Sequence, residues 1–204
     1  MKLSMAVYHD AELYKIITCR KCHHAVIDTE QMAKACHKVF QELDFSGRRR
    51  LGLSGAKPKH HDIFTVAMAG CPNACSQPQI KDFGLLGQAV PAVTENCSGC
   101  GLCTTTCPDQ CIVLTEKGPQ IDTSRCLNCG RCAECCAVGA VTVSKVGYQV
   151  LRGGKLGRRP RLAEEVASLT DEQEALGWLR QTIELLLAEG LPGERLGTLL
   201  NRLK

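Results

Sequence analysis

The runs 97-CSGCGLCTTTCP-108 and 126-CLNCGRCAECCA-137 decide how the rest of the chain is read. Each spaces its thiols as C-x2-C-x2-C-x3-C, at Cys97, Cys100, Cys103 and Cys107, and again at Cys126, Cys129, Cys132 and Cys136. Pro108 follows the first run and Ala137 the second. Further out, Cys71 and Cys75 form a pair, Cys19, Cys22 and Cys36 lie near the start, and no cysteine follows Cys136. Cysteine supplies 15 of 204 residues, about 7%, several times ordinary usage but short of a disulfide scaffold. The odd count also disfavours full pairing. MKLSMAVYHDAELYK at the N-terminus has no sustained apolar segment and does not read as a secretory signal. IFTVAMAG at 63–70, the best apolar run, is far below the roughly 18 residues of a membrane span. Closely spaced thiols without an export signal point to metal ligands in a reducing, cytoplasmic and anaerobic setting.

Composition narrows the classes further. With 44% apolar and 23% charged residues a packed core is expected. A net charge of +4 is too small to indicate nucleic acid, and the single RGG at 152–154 lacks repeats and interleaved aromatics.

The two cysteine runs carry the bacterial ferredoxin spacing for two [4Fe–4S] clusters, in which the fourth cysteine of each run serves the other cluster. Three thiolates two residues apart wrap a tight turn around one corner of a cube, and small intervening residues leave backbone N–H groups free to face sulfur. The expected ligand sets are therefore Cys97, Cys100, Cys103 and Cys136 for one cluster, and Cys107, Cys126, Cys129 and Cys132 for the other. The rival is structural zinc, which takes two C-x2-C pairs and not two complete four-cysteine runs. Cys135 competes with Cys136, but the C-x3-C count favours Cys136. Cys111 reads as a small buried hydrophobe.

Outside these runs, Met32, Cys36, Val39, Phe40 and Leu43 repeat at helical spacing over 29–43, with Asp28 or Thr29 as cap. This places the Cys36 thiol on an apolar face. Residues 63–69 read as a buried strand delivering Cys71, and 82–90 as a second strand with glycine breaks. CIVLTEKGPQID reads as a hairpin, AVTVSKV as a closing strand, and GYQVLR as a further strand before a basic, glycine-rich turn. Thr170 and Gln173 read as a capping box before the stripe Leu176, Leu179, Ile183, Leu186 and Leu187, with Gly190 as stop. A short amphipathic helix ends the chain.

The segment 70-GCPNACSQPQIKDFGLLG-87 resembles the siroheme-linked [4Fe–4S] domain of sulfite and nitrite reductases. There a C-P-N-x-C pair follows a strand and precedes a QPQIxDxGLxG-like segment. Dissimilatory and anaerobic members insert a ferredoxin module after it, and 147-GYQVLRGGKLGRRPRLAEEV-166 is similar to the part that resumes beyond that insert. The resemblance covers roughly residues 15–200. It implies an α+β fold, with 1–92 plus 146–204 as the reductase-like cluster domain and 93–145 as the inserted ferredoxin-like module. It implies that Cys71 and Cys75 are cluster ligands, with Cys75 the bridge to siroheme iron. The family's other two ligands come from an upstream C-x5-C. Here Cys19 and Cys22 are C-x2-C, and HHAVIDT after Cys22 matches the stretch beyond the family's second cysteine, so Cys19 must reach the cluster through a shorter loop or be replaced. In full reductases an upstream half-domain contacts the siroheme carboxylates. The matched domain begins here almost at Met1, so the reading leaves three alternatives: siroheme held with a partner chain, held in a dimer, or not held at all.

CRKCH at 19–23 also spells the c-type haem attachment motif, with His23 as axial ligand. That reading needs export and strands Cys71 and Cys75. His23, His24, His60 and His61 otherwise read as solvated surface. Arg48, Arg49, Arg50, Lys57, Lys59 and His60 form one basic group, read equally as a site wall or a solvated face. Arg152, Lys155, Arg158, Arg159 and Arg161 form another, of which Arg152 and Lys155 are the candidate contacts to siroheme carboxylates or to sulfite or nitrite. The expectation is an iron–sulfur redox protein with three [4Fe–4S] clusters and, where the resemblance extends so far, siroheme. Electrons enter at the ferredoxin-like clusters and pass to the N-terminal one. The alternative is a pure electron-transfer subunit without siroheme. Either way the partners are a redox protein or the other subunits of an oxidoreductase.

Overall fold

A computed structural model describes residues 4–7, 12–53 and 58–204; Lys57 of the first basic group lies outside the described residues. Strand β1 (Ser4–Val7) runs antiparallel to β2 (Tyr14–Cys19), and β2 is parallel to β3 (Phe64–Ala69), which is parallel to β4 (Phe83–Val93). β5 (Ile112–Thr115) and β6 (Gly118–Ile121) pair separately as the expected hairpin. β7 (Val141–Arg152) returns antiparallel along β4, and β8 (Glu164–Thr170) adds antiparallel to β7. The six-stranded sheet has the order β1-β2-β3-β4-β7-β8. With its helices it is the expected α+β fold.

Parallel neighbours require crossovers. The one from β2 to β3 carries α1 (Thr29–Glu42) and α2 (Phe45–Arg50). Asp28 caps α1 by accepting from the N–H groups of Glu30 and Gln31, and Met32, Cys36, Val39 and Phe40 face inward. The aromatic side chains gather against the first strands: Tyr14 stacks on Phe40 at 4.0 Å, and Phe45 and Phe64 meet Phe40 edge-on at 5.2 and 5.6 Å. The crossover from β3 to β4 is the segment 70–82, with only a 3-10 turn at Pro78–Ile80. It contains Cys71 and Cys75.

β4 continues through its glycines without a break, and its irregularity falls instead at Val90/Pro91, where proline has no N–H to donate. AVTVSKV and GYQVLR, expected as two strands, are one. The pairing of Phe83 with Arg152 and of Val93 with Val141 makes a continuous ribbon. Thr142–Val146 are exposed on both faces, so the ribbon leaves the sheet there and carries the segment between its ends outward. That segment holds α3 (Leu102–Thr106), the β5–β6 hairpin and α4 (Arg131–Glu134).

The C-terminal part covers one face of the sheet with α5 (Glu172–Glu189) and α6 (Leu196–Arg202). The cap of α5 is Asp171, which accepts from Glu174 N–H, and not Thr170, whose hydroxyl donates to the Tyr148 carbonyl at the sheet edge. Leu179, Ile183 and Leu186 are buried as the stripe predicts, while Leu176 and Leu187 pack at its margin.

Candidate metal centres

The two ferredoxin-like runs fold as structural repeats. Gly99 and Gly101 in the first, and Asn128 and Gly130 in the second, all have positive φ, as do Gln110 and Gly139 after each run's fourth cysteine. Left-handed residues at matching positions tighten each turn, which is why glycine or asparagine stands at all of them but Gln110. One enclosed recess is lined by Cys97, Cys100, Cys103 and Cys136, and a second by Cys107, Cys126, Cys129 and Cys132. Each recess is thus lined by the four thiols of one proposed set. N–H groups aim at sulfur from Gly99 to Cys97 at 3.4 Å, Asn128 to Cys126 at 3.4 Å and Val141 to Cys136 at 3.3 Å. The Val141 N–H bond holds the Cys136 thiol below its ordinary range, whereas burial raises Cys103 and pushes Cys132 up to about 11. Metal binding at such thiols releases protons. Cys135 is not among the residues lining the first recess, and donates to the Cys132 carbonyl at 3.4 Å.

The N-terminal cysteines converge by another route. Cys19 ends β2, and the parallel β3 runs out at Ala69 beside it, so both strands deliver their following residues to the same edge of the sheet. Ligand sites form at this carboxyl edge of parallel strands. Gly70 donates its N–H to Cys19 Sγ at 3.1 Å, and Asn73 Nδ2 donates to Cys75 Sγ at 3.0 Å. Burial raises Cys19 and Cys71, and the neighbouring Cys22 and Cys75 add to both. Cys19, Cys22, Cys71 and Cys75 are thus one electrostatic group, with Cys22 and Cys75 exposed and Cys19 and Cys71 partly covered. Close packing fixes this edge. A Cβ on Gly87 would lie 2.5 Å from the Gly70 carbonyl and 2.7 Å from Ile27 Cγ1. The ferredoxin-like module sits against the same loop: Ala89 N–H donates to the Asn128 carbonyl at 2.6 Å, and a Cβ on Gly130 would lie 3.6 Å from Val26 Cγ1.

The basic residues lie elsewhere. Arg49 is buried beside Asp62, Asp82 and Glu194 and donates to the Glu194 carbonyl. That cluster adjoins Phe64, the start of β3, at the opposite end from Cys71. Arg152 pairs with Phe83, the start of β4, and lies over the Trp178 ring at 5.7 Å, while Lys155 donates to Thr198 at 2.9 Å. Cys36 is fully buried in the main core, and burial pushes its thiol up to about 12.

Three features had little sequence signal. Cys111 is buried, but its sulfur lies 3.5 Å from Cys107 Sγ and lines the second recess. Burial pushes Cys111 up to about 12, so it remains a thiol beside its neighbour. The C-P-x-x-C interval was the available clue. Asn73, between the paired cysteines, supplies an amide donor to sulfur. His23 and His24 do not point away separately: His24 meets Glu134 of α4 at 3.2 Å.

A sheet domain that ends two parallel strands in a four-thiol group, and carries on a β-ribbon two ferredoxin-like thiol recesses, defines an iron–sulfur protein. The chain belongs to the nitrite and sulphite reductase 4Fe-4S domain family, whose model matches residues 16–203. It is 37% identical over 138 residues to the coenzyme F420-dependent sulfite reductase of Methanocaldococcus jannaschii, covering 67% of this chain and 20% of that protein. It is 31% identical over 75 residues to a subunit of the anaerobic sulfite reductase of Salmonella typhimurium, covering 36% of this chain and 21% of that protein. These matches thus span about a fifth of each relative's length. The fold is similar to that of dissimilatory sulfite reductase I, with a TM-score of 0.56 and 17% identity over 92% of this chain and 49% of that one. Among the described residues no helix is long and apolar enough to cross a membrane.

Proposed function

We propose that the chain is the electron-relay component of a sulfite- or nitrite-reducing oxidoreductase, working with a redox partner or with further subunits. Its cysteines would hold three [4Fe–4S] clusters, which supply one-electron carriers when bound. The observation that carries this reading is the contact between the ferredoxin-like module and the loop that follows Cys22. In this reading Cys107, Cys126, Cys129 and Cys132 form the set nearer the N-terminal cysteines, because Asn128 and Gly130 touch β4 and Val26. Cys97, Cys100, Cys103 and Cys136 form the outer, receiving set. The chain's own part is to fix the spacing of the carriers, exclude water from the recesses and aim N–H groups at sulfur, which tunes potential.

Siroheme at Cys75 is the second reading, supported by the exposure of that sulfur and by the Cys71–Gly87 motif. Arg152 and Lys155 are engaged with Trp178 and Thr198, so cations for the siroheme carboxylates would come from a partner chain. The test is anaerobic reconstitution followed by iron and sulfide analysis. Three four-iron clusters predict about twelve iron atoms per chain, and Cys71→Ser or Cys75→Ser is expected to remove about four of them while sparing the ferredoxin-like absorption. Preparations without acid-labile sulfide, or an iron count indifferent to Cys71, would refute the reading. A Soret band after incubation with siroheme, lost in Cys75→Ser, separates the siroheme reading from the relay alone.

A further inference from the structure

We infer that His23, His24 and Glu134 form a binding site for one divalent transition-metal cation, of the zinc or nickel type, that bridges the loop after Cys22 to helix α4. One ligand atom from each of the three side chains lies within 4.8 Å of those of the other two. His24 Nδ1 and Glu134 Oε2 stand 3.2 Å apart. Zinc bonds to nitrogen and oxygen of about 2.0–2.2 Å put neighbouring ligands of a tetrahedron roughly 3.3–3.6 Å apart, so this pair already has about the required separation. The His23 ring lies beside that of His24, centroids 3.8 Å apart, and its ligand atom is within 4.8 Å of the other two, which makes it the third donor. The fourth corner faces an open groove of about 450 Å³ and is free for water or a further ligand.

The framework holds these donors from two distant parts of the chain. Ala25 N–H bonds to the Cys22 carbonyl at 3.1 Å and Val26 N–H to the Gly70 carbonyl at 2.8 Å, which fixes the histidine turn. Gly130, at the start of α4, has φ +74° and abuts Ala89 and Val26, which brings Glu134 to the turn. The donor set is chemically distinct from the cluster sites. Imidazole with carboxylate suits zinc, nickel or copper, whereas the thiolate sets select iron–sulfur clusters. A cation here would tie the segment bearing Cys22 to the helix bearing Cys132, and so hold the module against the sheet domain.

The test uses the cluster-loaded chain under anaerobic conditions, titrated with zinc by equilibrium dialysis, with zinc and iron both measured. The expected result is one zinc per chain with iron unchanged, and affinity lowered at least about tenfold in His24→Ala and in Glu134→Ala. Zinc is also expected to slow hydrogen exchange of 22–26 and 131–134 in the parent chain and not in the variants. Equal uptake by the variants, uptake matched by iron loss, or no uptake would each overturn the site. None of these readouts depends on electron transfer, so this inference and the relay reading fail separately.

Discussion

The ferredoxin-like thiol sets are each completed within a span of 40 residues, Cys97 to Cys136, and nearly every member is placed by a turn of its own run. The N-terminal set spans 57 residues, from Cys19 to Cys75, and no turn brings its halves together. There the sheet does the work: β2 and β3 are parallel, so both release their next residue at one edge. The supporting cores differ as sharply. The main core holds Phe40, Phe45, Phe64, Phe83 and the leucines of α5 and α6, whereas the module's buried core is Cys103, Cys111, Cys132, Ile112 and Val141. A core that is mostly sulfur has little apolar area to offset chain entropy unless metal occupies it. The contrast predicts that one region needs metal in order to fold, while the other folds without it.

The largest expected effect stems from that contrast. Stripping iron anaerobically with a chelator should leave α1, α5 and β2–β4 protected in hydrogen exchange while 97–136 becomes fully exchangeable; equal protection of both regions would break the distinction. Next, Phe40→Ala removes the centre of the aromatic cluster and should cost about 3–5 kcal/mol, read as a lowered Tm of the sheet domain. The same substitution in fully folded protein should leave the ferredoxin-like reduced spectrum unchanged. Gly87→Ala should cost about 1–3 kcal/mol, because its Cβ meets the Gly70 carbonyl, and should lower iron only at the N-terminal set. Asp28→Ala removes the α1 cap and should cost about 1 kcal/mol in urea unfolding. The smallest effect is from acid. Arg202 donates to Glu194 and holds its carboxyl below the usual 4.5, so the stabilisation is complete above that value and is lost as pH falls through the depressed one. Arg202→Ala should flatten this part of the stability–pH curve.

Much of this was legible one-dimensionally. The helix at 29–42, the strand at 64–69, the hairpin and the α5 stripe all follow from local periodicity and turn residues. β2 and α2 had weak signals, because YKIITC is a short run and FSGRRR has no apolar period. Thr170 failed as a cap because its hydroxyl is taken by the Tyr148 carbonyl, a partner 22 residues away that no local pattern reveals. The two halves of β7 read as separate strands because their burial changes where the ribbon leaves the sheet. The basic groups show the same limit: charge in a sequence carries no direction, and only the fold shows that Arg49, Arg152 and Lys155 meet Glu194, Trp178 and Thr198.

Cysteine spacing by itself led to the proposed ferredoxin-like sets, including the exchange of Cys107 and Cys136, because ligands two or three residues apart are within the reach of a single turn. Only the tertiary structure decided that β2 ends beside β3, with the Gly70 N–H on Cys19 Sγ, and that His24 meets Glu134. Those neighbours are brought together by strand register and by packing across the sheet edge, which act between residues that the order of the chain keeps far apart.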